Sequence, residues 1–149
     1  MGGLAIVSEG SANTNQALTS EYRTADWMGP AQYLDTRCLT VGKTYTVSAQ
    51  VKVVENGVNF NCDPPSSTTS QCPRLTIKLE DGTWQDENEH WQNIGDVSSA
   101  WSSEEWNMIE GTLTVSQAIA DAGSVLVYSE GPPPGAMMIL DNVSITLNR

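Results

Sequence analysis

The chain has 149 residues, of which 39% are hydrophobic and 17% are charged, and its formal net charge is −11. This length suits a single domain over residues 1–149, and the apolar content is too high for a disordered chain. The negative charge would repel phosphate groups, so we expect neither nucleic acid nor an anionic membrane surface as a partner. No apolar run approaches the roughly 20 residues that a membrane-spanning helix needs.

Alternation of apolar and polar residues is the dominant pattern along the chain. Such a period of two is typical of strands with one buried face. Four longer segments show it: 45–53, 75–79, 109–115 and 137–147. Five shorter segments are further candidates: 4–8, 16–22, 31–38, 90–95 and 124–130. Residues 116–122 predict one helical turn. Because turn-forming Gly and Pro residues separate the segments, we predict an all-β fold, a β-sandwich jelly roll of about nine antiparallel strands.

The last segment contains a charged residue in an apolar phase. Asp141 has the same phase as Met137, Ile139, Val143 and Ile145, which predicts that its carboxylate points into the sandwich. An unpaired carboxylate there would be strongly destabilising, and only seven basic residues are present in the chain. Because Ca²⁺ prefers oxygen ligands, we predict that Asp141 binds a structural Ca²⁺. The alternative is an aspartate that accepts hydrogen bonds from backbone amides at a strand end.

The cysteines predict a disulfide. Cys62 and Cys72 bracket residues 63–71, which include no core-building side chain. A bond between them would stabilise the fold by about 3 kcal/mol in the chain-entropy model. Such a bond needs an oxidising compartment, so we expect a secreted protein. Pairing of Cys38 with either of the other two cysteines remains open.

Several stretches, taken in order, resemble a known family. They are residues 22–30 (YRTADWMGP), 39–49 (LTVGKTYTVSA), 106–113, 127–131 (VYSEG) and 139–144 (ILDNVS). This set resembles the carbohydrate-binding modules of families 4, 9, 16 and 22, which are jelly rolls appended to polysaccharide-degrading enzymes. The likeness covers residues 16–147.

The resemblance carries expectations about function. It implies a non-catalytic domain, a monomer attached to a larger enzyme, that binds a β-linked polysaccharide of the glucan or xylan class. The related modules often hold a structural calcium through the aspartate that matches Asp141. They also have a further strand before the position of Leu4, and we expect this chain to lack it.

Five residues are candidate ligands for the sugar. Trp27 lies in a loop and Trp91 at the start of a candidate strand; related modules place aromatic rings at such positions, where the C–H face of a pyranose packs. The alternatives are a loop tryptophan that covers one end of the sandwich and a tryptophan packed in the core. Glu130 resembles a position that bonds sugar hydroxyls in the family. Gln50 offers a donor and an acceptor, and Arg23 offers a fork of donors, to hydroxyls or to a carboxylate. For these three, the alternative is a solvated strand residue.

The sequence gives little support to catalysis. His90 is the only histidine, and no Gly-x-Ser-x-Gly, phosphate-binding or zinc motif is present. We therefore predict a binding domain and not an enzyme. Two alternatives remain open: a structural or adhesive extracellular sandwich that binds no glycan, and a small polysaccharide lyase or hydrolase that uses paired carboxylates.

Overall fold

The computed structural model describes residues 3–7, 17–62, 71–80 and 90–149, which form mostly antiparallel strands. The strands are β1 Gly3–Val7, β2 Ala17–Glu21, β3 Ala31–Leu34, β4 Thr44–Glu55, β5 Val58–Asn59, β6 Arg74–Glu80, β7 Trp91–Val97, β8 Asn107–Thr114, β9 Ser124–Glu130 and β10 Met137–Leu147. A 3-10 helix spans Thr36–Cys38, and α1 spans Gln117–Asp121. The all-β prediction is confirmed, and the predicted helical turn is α1, which Ser116 caps by accepting a hydrogen bond from Ile119 N at 3.2 Å.

The strands form one curled sheet in the order β1-β2-β10-β4-β8-β7-β6-β9-β3, and β5 pairs with β4. The apolar core joins strands that are not neighbours in this order, because Val47 and Val51 of β4 belong to the same cluster as Ile77 of β6 and Val127 of β9. The sheet therefore folds over on itself as a jelly-roll sandwich. We call its two parts the β4 layer (β1, β2, β10, β4, β8) and the β6 layer (β7, β6, β9, β3).

Two glycines allow the sheet to bend where the layers join. Gly95 of β7 lies opposite Gly111 of β8. A Cβ atom at Gly95 would overlap the backbone of Glu110, and one at Gly111 would overlap the backbone of Ile94. Only glycine permits this close approach of two backbones. The pairing of β7 with β8 covers only residues 95–97, so one layer turns over the other at this point.

Period-two packing is clearest in β4. Tyr45, Val47, Ala49, Val51 and Val53 are buried, and the residues between them lie on the outer face of the β4 layer. Tyr45 also stabilises the chain just before β4, because its hydroxyl accepts a hydrogen bond from Thr40 N (3.1 Å). The same hydroxyl donates to the carbonyl of Cys38 (3.3 Å).

The phase predicted for the last strand is wrong for the residues up to Asp141 and right for Ile145, which packs against the core. Met138 and Leu140 lie in the core cluster, Asp141 lies opposite the outward-facing Gln50, and Val143 is 53% exposed. The register shifts between Asp141 and Ser144, so β10 contains a bulge. Asn142 has a positive φ of 51° there, which asparagine tolerates. A bulge reverses the phase across it, so Asp141, before the bulge, does not share the inward phase of Ile145, after it.

The predicted disulfide is confirmed. Cys62 and Cys72 are bonded and buried, and Cys38 is a free, exposed cysteine. Pro73 follows the bond and leads directly into β6, so the disulfide fixes where this strand begins. In the part of the chain that the structure describes, no helix has the length and the apolar character that spanning a membrane requires.

Candidate functional site

A groove of about 950 Å³ lies on the outer face of the β6 layer. Apolar and aromatic surface makes up most of its wall, and polar side chains from β6, β7 and β9 reach into it. Its lining residues are Ser20, Trp27, Met28, Gly29, Ala31, Arg74, Thr76, Lys78, Trp91, Asn93, Leu126, Tyr128 and Glu130. A concave surface with aromatic walls and a few fixed polar groups is the usual form of a small-ligand site.

Strand alternation places the floor of the groove. In β6, Leu75, Ile77 and Leu79 are buried in the core, so the residues between them face outward. Residues directly opposite one another in neighbouring strands share a face. Thr76 of β6 lies opposite Tyr128 of β9. The neighbouring pairs on the same face are Arg74 with Glu130 and Lys78 with Leu126. The pairing of β6 with β9 therefore places six side chains on the groove-facing side of the layer.

Trp27 lines the groove from the loop before β3 and is 64% exposed. The loop is fastened to β9, because Ser129 N donates to Pro30 O (3.1 Å) and Gly131 N donates to Asp26 O (2.9 Å). At Gly29 a Cβ atom would overlap the carbonyl of Ser129, so only glycine allows the loop to lie this close.

Arg23 fixes the same loop from below and does not line the groove. It is buried, and its guanidinium donates to five backbone carbonyls: those of Asp26, Met28, Pro132, Pro133 and Ala136. A guanidinium has five N–H donors, so none is left for a ligand. Burial lowers the pKa of Arg23, and the nearby Asp26 acts in the opposite direction. Arg23 therefore joins the Trp27 loop to residues 132–136.

Trp91 lies at the far side of the β6 layer, at the start of β7, and is 48% exposed. Its ring stacks on His90 with centroids 3.6 Å apart. On β6, the ammonium group of Lys78 lies 5.8 Å from the Trp91 ring centroid, within the range of a cation–π interaction. These contacts hold the indole at the groove while half of its surface stays open to a ligand.

Glu130 is the most preorganised polar group of the groove. Its Oε1 accepts hydrogen bonds from Arg74 Nε (2.9 Å) and Thr76 Oγ1 (3.1 Å). Burial raises the pKa of the Tyr128 phenol, and the charge of Glu130, to which the phenol also donates a hydrogen bond, raises it further. An ionised carboxylate has about four acceptor sites. Glu130 can therefore accept a further hydrogen bond from a ligand hydroxyl without moving.

The structure brings three of the five sequence-predicted sugar ligands together: Trp27, Trp91 and Glu130 all line the groove. Gln50 lies on the outer face of the β4 layer, on the opposite side of the core, and Arg23 lies beneath the Trp27 loop. Sequence reasoning did not assign a role to the outward-facing residues of β6 or to Tyr128. Their alternation with core residues indicated that they face outward. It could not indicate which of the two outer faces of the sandwich is concave.

Among the described residues, no group of three His, Cys, Asp or Glu side chains is placed to hold a metal ion. Asp141 is half-buried, and its Oδ1 accepts a hydrogen bond from Asn142 N at 2.8 Å. Ca²⁺ takes six to eight oxygen ligands, so further oxygen atoms would have to complete a site at Asp141.

Comparison with known proteins identifies a family. The model of a family described as "Carbohydrate binding domain" matches residues 2–135. The comparison with curated proteins found no match.

Solved structures resemble this fold over nearly its whole length. A xylan-binding CBM22-1 domain from Paenibacillus barcinonensis is 22% identical, with a TM-score of 0.68 over 98% of this chain and 81% of that one. The C-terminal family 22 carbohydrate-binding module of a Clostridium thermocellum protein is 16% identical, with a TM-score of 0.68 over 98% of this chain and 82% of that one. In an endo-1,4-β-D-xylanase of the same organism, CBM22-1 and GH10 modules are complexed with xylohexaose. That chain is 19% identical, with a TM-score of 0.66 over 99% of this chain and 25% of that one. At these identities the likeness establishes the fold.

Proposed function

Since the chain belongs to the carbohydrate-binding domain family, we propose that it binds a xylan chain in the groove of the β6 layer without acting on it. The rings of Trp27 and Trp91 stack on sugar rings, and Glu130 accepts hydrogen bonds from sugar hydroxyls. The bound polymer crosses the strands of the β6 layer from one tryptophan towards the other.

The observation that carries this proposal is the arrangement of the two exposed tryptophans around a fixed carboxylate. Trp27 precedes β3 and Trp91 begins β7, at the two sides of a layer ordered β7-β6-β9-β3. Three interstrand steps separate these strands, or roughly 14 Å at the usual strand spacing. Glu130 lies between them on β9, already bonded to its neighbours. Binding such a ligand requires little ordering of the protein, which favours affinity.

Xylan is the polymer that the similar structures favour. The domain from Paenibacillus barcinonensis is described as xylan-binding, and the Clostridium thermocellum modules are complexed with xylohexaose. Exposed indole rings suit a neutral chain, whose C–H faces pack on them. A β-linked glucan has the same stacking chemistry, so it is the competing ligand in any test.

An accessory role outside the cell follows from the proposed ligand. In the Clostridium thermocellum xylanase, a family 22 module is joined to a GH10 module. We propose that this domain likewise keeps a polysaccharide-degrading enzyme on its substrate. The Cys62–Cys72 disulfide supports secretion, because such bonds persist in oxidising compartments.

Affinity electrophoresis against xylan, laminarin, cellulose and mannan tests the proposal. Xylan should retard the protein most, and Trp27→Ala and Trp91→Ala should each weaken binding in calorimetry by about thirtyfold, the loss expected for a central aromatic contact. Tyr22→Asn is the matched control. It removes an exposed aromatic residue that does not line the groove, at a positive φ that asparagine tolerates. Retardation by no glycan would favour the structural or adhesive sandwich, and release of reducing ends would favour the hydrolase or lyase.

We also propose, on the family resemblance, that Asp141 takes part in a structural calcium site. A chelator should then lower the melting temperature of the parent, and added Ca²⁺ should restore it. Asp141→Asn should start at the lower melting temperature and respond to neither treatment. An unchanged melting temperature of the parent in chelator contradicts the calcium proposal and leaves the glycan proposal untouched.

A further inference from the structure

A third exposed aromatic residue lies on the same face as the groove, outside the set of lining residues. Tyr33 of β3 is 60% exposed. Ala31, two positions earlier on the same strand, lines the groove, and residues two apart on a strand share a face. Tyr33 therefore stands on the outer face of the β6 layer, one strand repeat beyond Ala31.

The strand register puts Tyr33 in a transverse row with a groove tryptophan. Tyr33 lies opposite Leu126 of β9, Leu126 opposite Lys78 of β6, and Lys78 opposite Trp91 of β7. The last three of these residues line the groove. The row runs across all four strands of the layer and has an exposed aromatic ring at each end.

A chain of polar contacts holds the two rings in place. The Tyr33 hydroxyl donates to Glu80 Oε2 (2.8 Å), and Lys78 Nζ pairs with Glu80 Oε1 (3.3 Å). Lys78 in turn lies over the Trp91 ring. The hydrogen bond from Tyr33 lowers the pKa of Glu80, and Lys78 lowers it further, so this carboxylate is ionised at neutral pH. A ring tethered through its hydroxyl loses little further freedom when a ligand packs against its face.

We propose that Tyr33 is a further sugar-stacking platform, which extends the groove along the Trp91 row so that the site takes a longer xylan segment. This inference rests on the proposed function and deepens it. Trp27, Glu130 and Trp91 hold the main run of the polymer, and Tyr33 contacts a sugar outside that run, at the β3 edge of the layer, that only longer oligosaccharides reach.

Calorimetry with two chain lengths tests the inference. Tyr33→Ala should weaken binding of xylohexaose by about fivefold, the loss typical of a contact of about 1 kcal/mol. The loss should be smaller for xylotriose, which the Trp27 and Glu130 end holds without reaching Tyr33. Tyr33→Phe keeps the ring and should stay within about twofold of the parent. Tyr22→Asn again serves as the control for loss of an exposed aromatic residue outside the groove.

Three results would overturn the inference: parental xylohexaose affinity in Tyr33→Ala, an equal loss for both chain lengths, or an equal loss in Tyr33→Phe. Because Tyr33 is exposed, all variants should keep the parental melting temperature, which is measured alongside. If the parent itself does not bind xylohexaose, the proposed function fails. The same variants are then measured with the long and short oligosaccharides of whichever glycan retards the parent.

Discussion

The two outer faces of the sandwich are built by the same alternation of side chains, yet they differ in what they offer to a ligand. On the β4 layer, polar residues of neighbouring strands bond to one another. The pairs are Thr44 with Thr114 (3.2 Å), Thr46 with Asn148 (2.7 Å) and Ser48 with Ser144 (3.3 Å). On the β6 layer, polar groups are fixed by neighbours but keep acceptor sites free, and exposed aromatic rings stand beside them. A face whose polar groups already satisfy one another has less to gain from binding a sugar.

The tryptophans show the same contrast. Trp106, next to β8, has the ammonium group of Lys52 at 5.2 Å from its ring centroid, much as Trp91 has Lys78. Trp91 and Trp27 are open beside a concave surface, whereas Trp106 is only half-exposed and does not line the groove. An aromatic ring near a cation is therefore not enough to make a binding face. The curvature of the sheet and the loop before β3 are what make the difference.

The largest expected effect comes from removing the support under the Trp27 loop. Arg23→Met removes the guanidinium that donates to five backbone carbonyls, two of them in buried contacts, which should lower the free energy of unfolding by more than about 3 kcal/mol. Urea denaturation measures the change. Arg37→Met is the matched control, because the Arg37 side chain is 88% exposed and pairs with the nearby Asp35 at the surface, so it should unfold like the parent. Equal stability of the two variants would show that the Arg23 contacts do not hold the loop.

Removing the disulfide should have the next largest effect. Cys62→Ser combined with Cys72→Ser opens a loop with a sequence separation of 10 residues. The free energy of unfolding should fall by about 3 kcal/mol in the chain-entropy model. Because β6 begins at Arg74, just after the disulfide, the double variant should also bind glycan more weakly. The structure of the outer face of the β4 layer should be unaffected. Cys38→Ser, at the free and exposed cysteine, is the control. Parental stability in the double variant contradicts this expectation.

Matched substitutions of two glutamates compare the two faces directly. Glu130→Gln removes the charge that orders Arg74, Thr76 and Tyr128, and should weaken glycan binding about tenfold, or about 1.4 kcal/mol. Glu110→Gln makes the same chemical change on the exposed outer face of β8 and should leave the affinity unchanged. Calorimetry with xylohexaose measures both. A larger loss in Glu110→Gln would place the binding face on the β4 layer.

The smallest expected effect is a loss of stability at alkaline pH that is due to Tyr128 in the groove. The pKa of Tyr128 is raised in the folded protein above the value near 10 of the unfolded phenol. The folded state thus keeps a proton that the unfolded state releases. The contribution of Tyr128 to stability is complete below about pH 10 and declines as the pH rises further. Denaturation at pH 9 and pH 11 should show a steeper loss for the parent than for Tyr128→Phe. Tyr22→Phe, at an exposed phenol, should behave like the parent, and equal slopes for parent and Tyr128→Phe would contradict the prediction.

Much of the fold was predictable because it depends on local patterns. The alternation in β4, β6 and β8 predicted both the strands and the residues that fill the core, whereas β9 was predicted only as a strand. The disulfide was predictable because its cysteines bracket a segment without core-building residues. The candidate site was predictable only in part. Trp27, Trp91 and Glu130 came from the family resemblance, whereas Arg74, Thr76, Lys78 and Tyr128 had no signal that set them apart from other outward-facing strand residues.

The errors have a common physical origin in the register between strands. The bulge in β10 adds one residue between Asp141 and Ser144, and a single added residue exchanges the two faces across it, so Asp141 and Ile145 lie on opposite faces. Periodicity within one strand cannot reveal this, since the extra residue is defined by its partner strand. Arg23 is a similar case, because four of its five acceptors come from residues 28 and 132–136, and only folding brings these to it.

The sequence by itself determined that this protein is an all-β sandwich of the carbohydrate-binding type, because hydrophobic periodicity, turn residues and family motifs are all readable along the chain. The tertiary structure alone decided which outer face forms the groove, why Gln50 stands away from it and how Tyr33 comes into line with Trp91. Those outcomes depend on the order, register and curvature of strands that are distant in sequence. Such properties arise from packing between strands and not from the pattern within any one of them.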